Sequence, residues 1–142
     1  MAVTANSIVT PQTPNRGIVR FVGTTDALAT LKSLYVAGAN GSKVLGACAV
    51  NAGATAHLVT LMVVNATTAY QANAISVAAS AGNNGTVTPV SLMAAAVWPG
   101  LPVDSNGNPY LFLNSGDTLQ AEYATAQLTT EILSLLCVAS DF

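Results

Sequence analysis

Gly and Asn interrupt the chain at short intervals, and most of the stretches between them read as β-strands. Residues 118–124 alternate cleanly. Leu119, Ala121 and Tyr123 fall on one face, and Thr118, Gln120 and Glu122 on the other. Successive side chains of a strand point to opposite faces, so this pattern predicts a half-buried strand. Residues 17–23 set Arg20 among Ile18, Val19, Phe21 and Val22 and predict a second strand. Residues 56–64 are apolar on both faces, which predicts a strand in the middle of a sheet. Residues 69–79, 110–113 and 132–139 read as further strands. Residues 86–90 are extended, and Pro89 confines them to an edge or a strand end because proline lacks the N–H.

The turns are equally legible. Asn40-Gly41 lies between the apolar stretches 33–37 and 43–50. Asn-Gly adopts positive φ at little cost, so the sequence predicts a hairpin joining those two strands. Residues 51–55, 65–68, 81–85 and 114–117 read as turns or loops. Two places favour a helix. Leu28, Leu31 and Leu34 have a helical spacing, and Thr25 or Asp26 can cap a turn, which allows a short helix at 26–31 before a strand at 32–37. Residues 91–98 are the better candidate: Leu92, Met93, the three alanines and Val97 are mostly good helix formers, and Pro99-Gly100 stops them. Residues 1–15 are polar, lack periodicity and contain Pro11 and Pro14, so they read as an extended arm. The prediction is therefore an all-β fold, a β-sandwich of jelly-roll-like type with one short helix. Residues 1–15 form its extended N-terminal arm, and residues 16–142 a single β-sandwich domain.

Composition sharpens this picture. A chain of 142 residues suits one domain, which buries roughly 70% of the surface its unfolded chain exposes. Only 7% of its residues are charged, against about 25% in an average protein. Hydrophobic residues reach 51%. A protein with so few charges cannot keep its copies apart by repulsion. Its surface is either coated with Thr, Ser, Asn and Gln or buried against partners, and both suit a subunit of an assembly. The apolar runs 44–50, 58–64, 92–98 and 132–139 all fall well short of the roughly 18 residues of a membrane span, so no membrane is expected. The N-terminus lacks a basic segment followed by an apolar one, so no secretory leader is expected. The net charge is −2 and the basic residues are Arg16, Arg20, Lys32 and Lys43, too few for a phosphate-tracking patch, so no nucleic acid is expected.

Candidate chemistry is sparse. Cys48 and Cys137 each sit in an apolar run and read as buried thiols in a reducing compartment, with a disulfide between neighbouring strands as the alternative. His57 is the sole imidazole, begins an apolar strand and has no spaced partner, which points to a structural role. Paired carboxylates could act as acid and base, and Asp104, Asp117, Glu122 and Glu131 are the candidates, but no spacing joins two of them. Asp117 lies in a Ser-Gly-Asp-Thr turn and is expected to accept backbone N–H groups there. Glu122 reads as solvated or interfacial. Residues 104–108 resemble the start of a calcium loop, yet Ser115 stands where such a loop places its bidentate Glu, so an Asn-Gly turn is the better reading. No phosphate-binding glycine loop is present. The aromatic residues are too scattered for a base-stacking platform, and Trp98 is expected to anchor the core or a subunit interface. No catalytic, cofactor-binding or metal-binding residue is assigned, and a non-enzymatic role is expected.

Three runs carry a resemblance: Trp98-Pro99-Gly100-Leu101-Pro102; Asp104-Ser105-Asn106-Gly107-Asn108-Pro109-Tyr110-Leu111-Phe112-Leu113; and Ser115-Gly116-Asp117-Thr118-Leu119. With the closing Asp141-Phe142 and the hairpin at 35–43, they resemble small virion proteins of tailed bacteriophages. The Gly-Asp-Thr-Leu run also recurs in trimeric jelly-roll proteins. The resemblance covers the last third of the chain. It implies a capsid decoration (cement) protein on the capsid surface, often a homotrimer, that stabilises the phage head by contacts with the major capsid protein or other virion proteins. Such a virion protein is assembled in the host cytoplasm. No catalytic residues belong to that class. The interface residues then expected are Ala2, Val3, Ile8, Val9, Pro11, Pro14, Trp98 and Phe142. A polar arm can order on a neighbour, few charges need desolvation, and repeated copies add avidity. The alternative is a tail- or fibre-associated receptor- or carbohydrate-binding module, with Tyr70, Tyr110 and Tyr123 as candidate platform residues near carboxylates. A jelly-roll enzyme would require Asp104, Asp117 or His57 to converge in one pocket.

Overall fold

The computed structural model describes residues 13–124 and 131–142. They form nine strands: β1 (Thr13–Val22), β2 (Lys32–Val36), β3 (Ser42–Asn51), β4 (His57–Asn65), β5 (Thr68–Val77), β6 (Val90–Ser91), β7 (Leu111–Leu113), β8 (Thr118–Tyr123) and β9 (Ile132–Asp141). They make two antiparallel sheets facing each other, a β-sandwich. One sheet runs β1-β9-β3, and the far edge of β3 is shared between β6 and β7. The other runs β2-β8-β4-β5. First strands therefore pair with last ones: β1 with β9, β2 with β8, β3 with β7.

The inward faces follow the period-two rule. Leu119, Ala121 and Tyr123 of β8 are buried, as their alternation predicts, together with Leu133, Leu135, Cys137 and Ala139 of β9. Val59 and Leu61 of β4 and Val19 and Phe21 of β1 complete the centre. Each large side chain of this kind contributes about 1.5–3 kcal/mol by leaving water. The Phe21 and Tyr123 rings meet edge to face across the two sheets, 5.2 Å apart. The sheets come closest where β1 passes β2. A Cβ added at Gly17 would stand 1.7 Å from the Leu34 carbonyl oxygen, so only glycine fits there. As predicted, β4 lies between two neighbours, and β6, which follows Pro89, lies at a sheet edge.

Several expectations change. No helix forms among the described residues. At 91–98 the chain first gives the Leu92 N–H to the Ala47 carbonyl on β3 and buries Leu92 and Met93. One turn remains, in which the Val97 and Trp98 N–H groups both reach the Ala94 carbonyl. A single turn before Pro99 cannot offset the cost of helix nucleation. At 26–31, Ala29 takes φ 58°, which breaks a right-handed helix, and Leu28 and Leu31 are exposed, so no apolar stripe faces the core.

The Asn40-Gly41 turn forms, with Gly41 at φ 89°, but it does not join a hairpin. It passes the chain from β2 in one sheet to β3 in the other. The turn at 114–117 likewise carries the chain from β7 to β8, across the sandwich. A turn signal specifies a reversal of direction. Which edge the returning strand joins depends on where its apolar face finds cover. β1 begins at Thr13, in register with Asp141, so residues 13–15 of the expected arm lie in a strand. The rest of that arm is outside the described residues.

Candidate functional site: the outer face of one sheet

His57 and the candidate carboxylates Asp104, Asp117 and Glu131 are engaged in the fold. The His57 Nε2 lies 2.9 Å from the Glu131 Oε2, with both residues buried. The other oxygen of Glu131 accepts the Ala54 and Thr55 N–H groups at 3.0 and 3.1 Å. Asp117 accepts the Asn114 N–H at 2.8 Å and the Asn65 amide at 2.6 Å, the turn-fixing role its sequence predicts. Asp104 accepts the Asn106 and Asn108 N–H groups at 2.8 and 2.9 Å in an Asn-Gly turn, and these bonds hold its carboxyl below the usual range. His57 thus bonds to Glu131, Asp104 to residues of its own turn, and Asp117 to Asn114 and Asn65. Among the described residues no group of His, Cys, Asp and Glu could hold a metal.

Asp141 forms a knot that the sequence did not reveal. The hydroxyls of Tyr35 and Ser42 both donate to its Oδ1 at 2.5 Å, and the Asn15 amide donates to its Oδ2 at 3.2 Å. Strands β1, β2, β3 and β9 are tied together there. The Ser42 and Tyr35 bonds hold the Asp141 carboxyl below its ordinary range. Burial, reinforced by the neighbouring carboxylate, raises the Tyr35 hydroxyl.

Both cysteines are free, and the register explains why. Cys137 pairs with Ala47 and Cys48 with Leu136, so the two thiols occupy opposite faces of the same sheet. Cys137 points into the core, where burial pushes its thiol up to about 11. Cys48 points outward and is half-buried. The disulfide alternative is therefore ruled out by geometry.

That outward direction leads to the most unusual surface of the molecule. Three rows cross β1, β9 and β3: Arg16–Val138–Gly46, Ile18–Leu136–Cys48 and Arg20–Ser134–Val50. Ile18 is 68% exposed, Val138 49% and Leu136 41%, and Leu45, lifted out by the bulge between Val44 and Gly46, is 47% exposed. An apolar strip thus runs across the solvent side of three neighbouring strands. Isolated exposed apolar residues are ordinary, whereas a contiguous patch marks an interaction surface. Two adjoining depressions of about 430 and 260 Å³ share Cys48 and Leu136 and form a shallow groove along the strip. Arg16 and Arg20 flank it, and neither has a salt-bridge partner among the described residues. Among the described residues no carboxylate lines either depression; Asp104 stands at the far end of the strip, in a cleft it shares with Leu45 and Gly46.

The expected interface residues divide. Ala2, Val3, Ile8, Val9 and Pro11 lie outside the described residues. Pro14 is exposed on β1. Trp98 packs half-buried against the core. Phe142 joins an aromatic cluster, 5.9 Å from Phe112, which is 5.1 Å from Tyr110. The Lys43 ammonium sits 4.0 Å from the centre of the Tyr110 ring. Of the three tyrosines considered for a sugar platform, Tyr123 is buried and Tyr70 is exposed on β5. Tyr110 lines a cleft of about 520 Å³ with Asp104, Asn108, Lys43 and Ser91.

The described residues thus define an all-β sandwich with a contiguous apolar strip on the outer face of one sheet. A scan against known protein families finds no match, and a search of curated proteins finds none. Among solved structures, this chain is similar to a chain of the cyanophage Pam1 capsid asymmetric unit, with a TM-score of 0.45 and 16% identity over 91% of this chain and 84% of that one. A likeness at that level assigns no role by itself.

Proposed function

We propose that this protein is a structural subunit of a virion, of the capsid decoration type, that acts through protein–protein contacts. One observation carries the reading: the apolar strip Ile18, Leu136, Val138 and Leu45 on the outer face of a sheet, in a chain of which only 7% of residues are charged. Leaving such a strip in water is costly, and covering it against other subunits removes that cost. The pairing β1–β9, β2–β8, β3–β7, β4–β5 is that of one long hairpin rolled into two sheets, which supports the jelly-roll form of the sandwich. His57 and five of the six carboxylates make bonds within the fold, which supports a non-catalytic role. The mechanism is mechanical: many copies add interface area to a shell, with a homotrimer bridging the major capsid protein or other virion proteins.

Light scattering of the purified chain, with and without capsids, tests this. A defined oligomer that sediments with capsids is expected. A monomer at all concentrations that ignores capsids would end the proposal. A second reading, a carbohydrate-binding virion module, is favoured by one observation, the meeting of Tyr110 and Asp104 in one cleft. Binding on a glycan array that is lost in Tyr110→Ala would select it.

A further inference from the structure

The groove on the outer face of the β1-β9-β3 sheet has a shape and charge that select one occupant within an assembly of the kind proposed above. We infer that it receives the N-terminal segment, residues 2–12, of a neighbouring copy. The inference rests on the assembly reading and adds to it which segment fills which surface.

Three observations support this occupant. The first is width. The groove spans three strands, about 10 Å at the usual strand spacing, which suits one extended chain better than a second sheet. The second is charge. Packing two such faces on each other would gather Arg16 and Arg20 of both copies around depressions whose described lining holds no carboxylate. Residues 1–12 contain no Asp, Glu, Lys or Arg, and they bring Val3, Ile8 and Val9. In an extended segment adjacent side chains face opposite ways, so either Ile8 or Val9 enters the groove in any register. The third is direction. β1 reads toward the groove from Thr13, which is already paired with Asp141, and the row Ile18–Leu136–Cys48 lies five residues into the strand. Thr13, where the described strand starts, is thus at the end of β1 away from that row. Thr10 and Thr13 each precede a proline, which favours an extended backbone at both. Twelve extended residues reach about 40 Å, well beyond a domain whose radius of gyration is about 14 Å. That length is sufficient to cross to a neighbour.

Cys48 lies in the middle row of the groove and reports on its occupancy. The probe is the full-length chain. An Ile8→Cys, Cys48→Ser chain is mixed with wild type and treated with a mild thiol oxidant, and the same is done with Val9→Cys, Cys48→Ser. One of the two mixtures is expected to give a covalent dimer on non-reducing gels. The Cys48 thiol of wild type is expected to react with a maleimide at least about tenfold more slowly than in Ile8→Asp, Val9→Asp, as for a groove filled about nine-tenths of the time. The inference is overturned if neither mixture cross-links. It is equally overturned if Ile8→Cys in a chain keeping Cys48 closes only within one chain, or if Cys48 reacts equally fast in both forms. An oligomer by light scattering with an open Cys48 refutes the segment and leaves the assembly reading standing. A monomer refutes the assembly reading itself.

Discussion

Replacing Glu131 by alanine tests whether the buried His57–Glu131 pair is a brace of the fold. The substitution removes a carboxylate that faces the His57 Nε2 at 2.9 Å and accepts two backbone N–H groups at 3.0 and 3.1 Å. The His57 ring and the Ala54 and Thr55 N–H groups all lose this partner, and each buried polar group left unsatisfied costs about 1–3 kcal/mol. Ala54 and Thr55 are only part-buried and regain some water, so the expected loss is about 3–5 kcal/mol. A domain of this size has a total of about 5–15 kcal/mol, so the variant is near the edge of folding. Glu131→Gln keeps an acceptor for Ala54 and Thr55 and should lose less, about 1–2 kcal/mol. The assay is urea unfolding, read as a lower midpoint at an unchanged slope. Gly53 gives an independent check. A Cβ there would stand 2.5 Å from the Glu131 Cδ, so Gly53→Ala must displace the same carboxylate and should reproduce part of the loss. If Glu131→Ala loses under about 1 kcal/mol, the pair does not brace the fold and the structural account of His57 fails.

Three further outcomes are expected. Gly17→Ala forces a methyl against the Leu34 carbonyl and should cost at least about 3 kcal/mol by urea unfolding, whereas Gly46→Ala, with nothing within 4 Å, should stay within about 0.5 kcal/mol of wild type. The carboxyls of Asp141 and Asp26 are held low in the folded protein, Asp141 by Ser42 and Tyr35 and Asp26 by Lys32, so the stability they contribute is complete above about pH 4 and is lost as pH falls through their folded values. Thermal melts from pH 6 to pH 2 should show this loss, and Asp141→Asn should reduce its slope. Leu136→Lys places a charge in the exposed strip, so its melting curve should match wild type while light scattering shows a smaller particle.

Much of the fold was legible from the sequence because a period of two is a local property. It identified β8 with its buried face, the central position of β4, the edge position after Pro89, and the turn built on Asp117. The pairing of strands was not legible. Asn40-Gly41 announced a reversal, yet β2 and β3 went to different sheets, because cover for an apolar face is found far away along the chain. The partnership of His57 and Glu131 spans 74 positions and leaves no local mark.

The outer face escaped the sequence for a related reason. In β3 and β9 both alternating sets are largely apolar, in β1 Ile18 stands between Arg16 and Arg20 on the outward set, and the bulge at Leu45 moves one side chain out of step. Alternation states only that neighbours face opposite ways. Which set becomes core and which stays in water is decided when the second sheet covers one side and leaves Ile18, Leu136 and Val138 on the other.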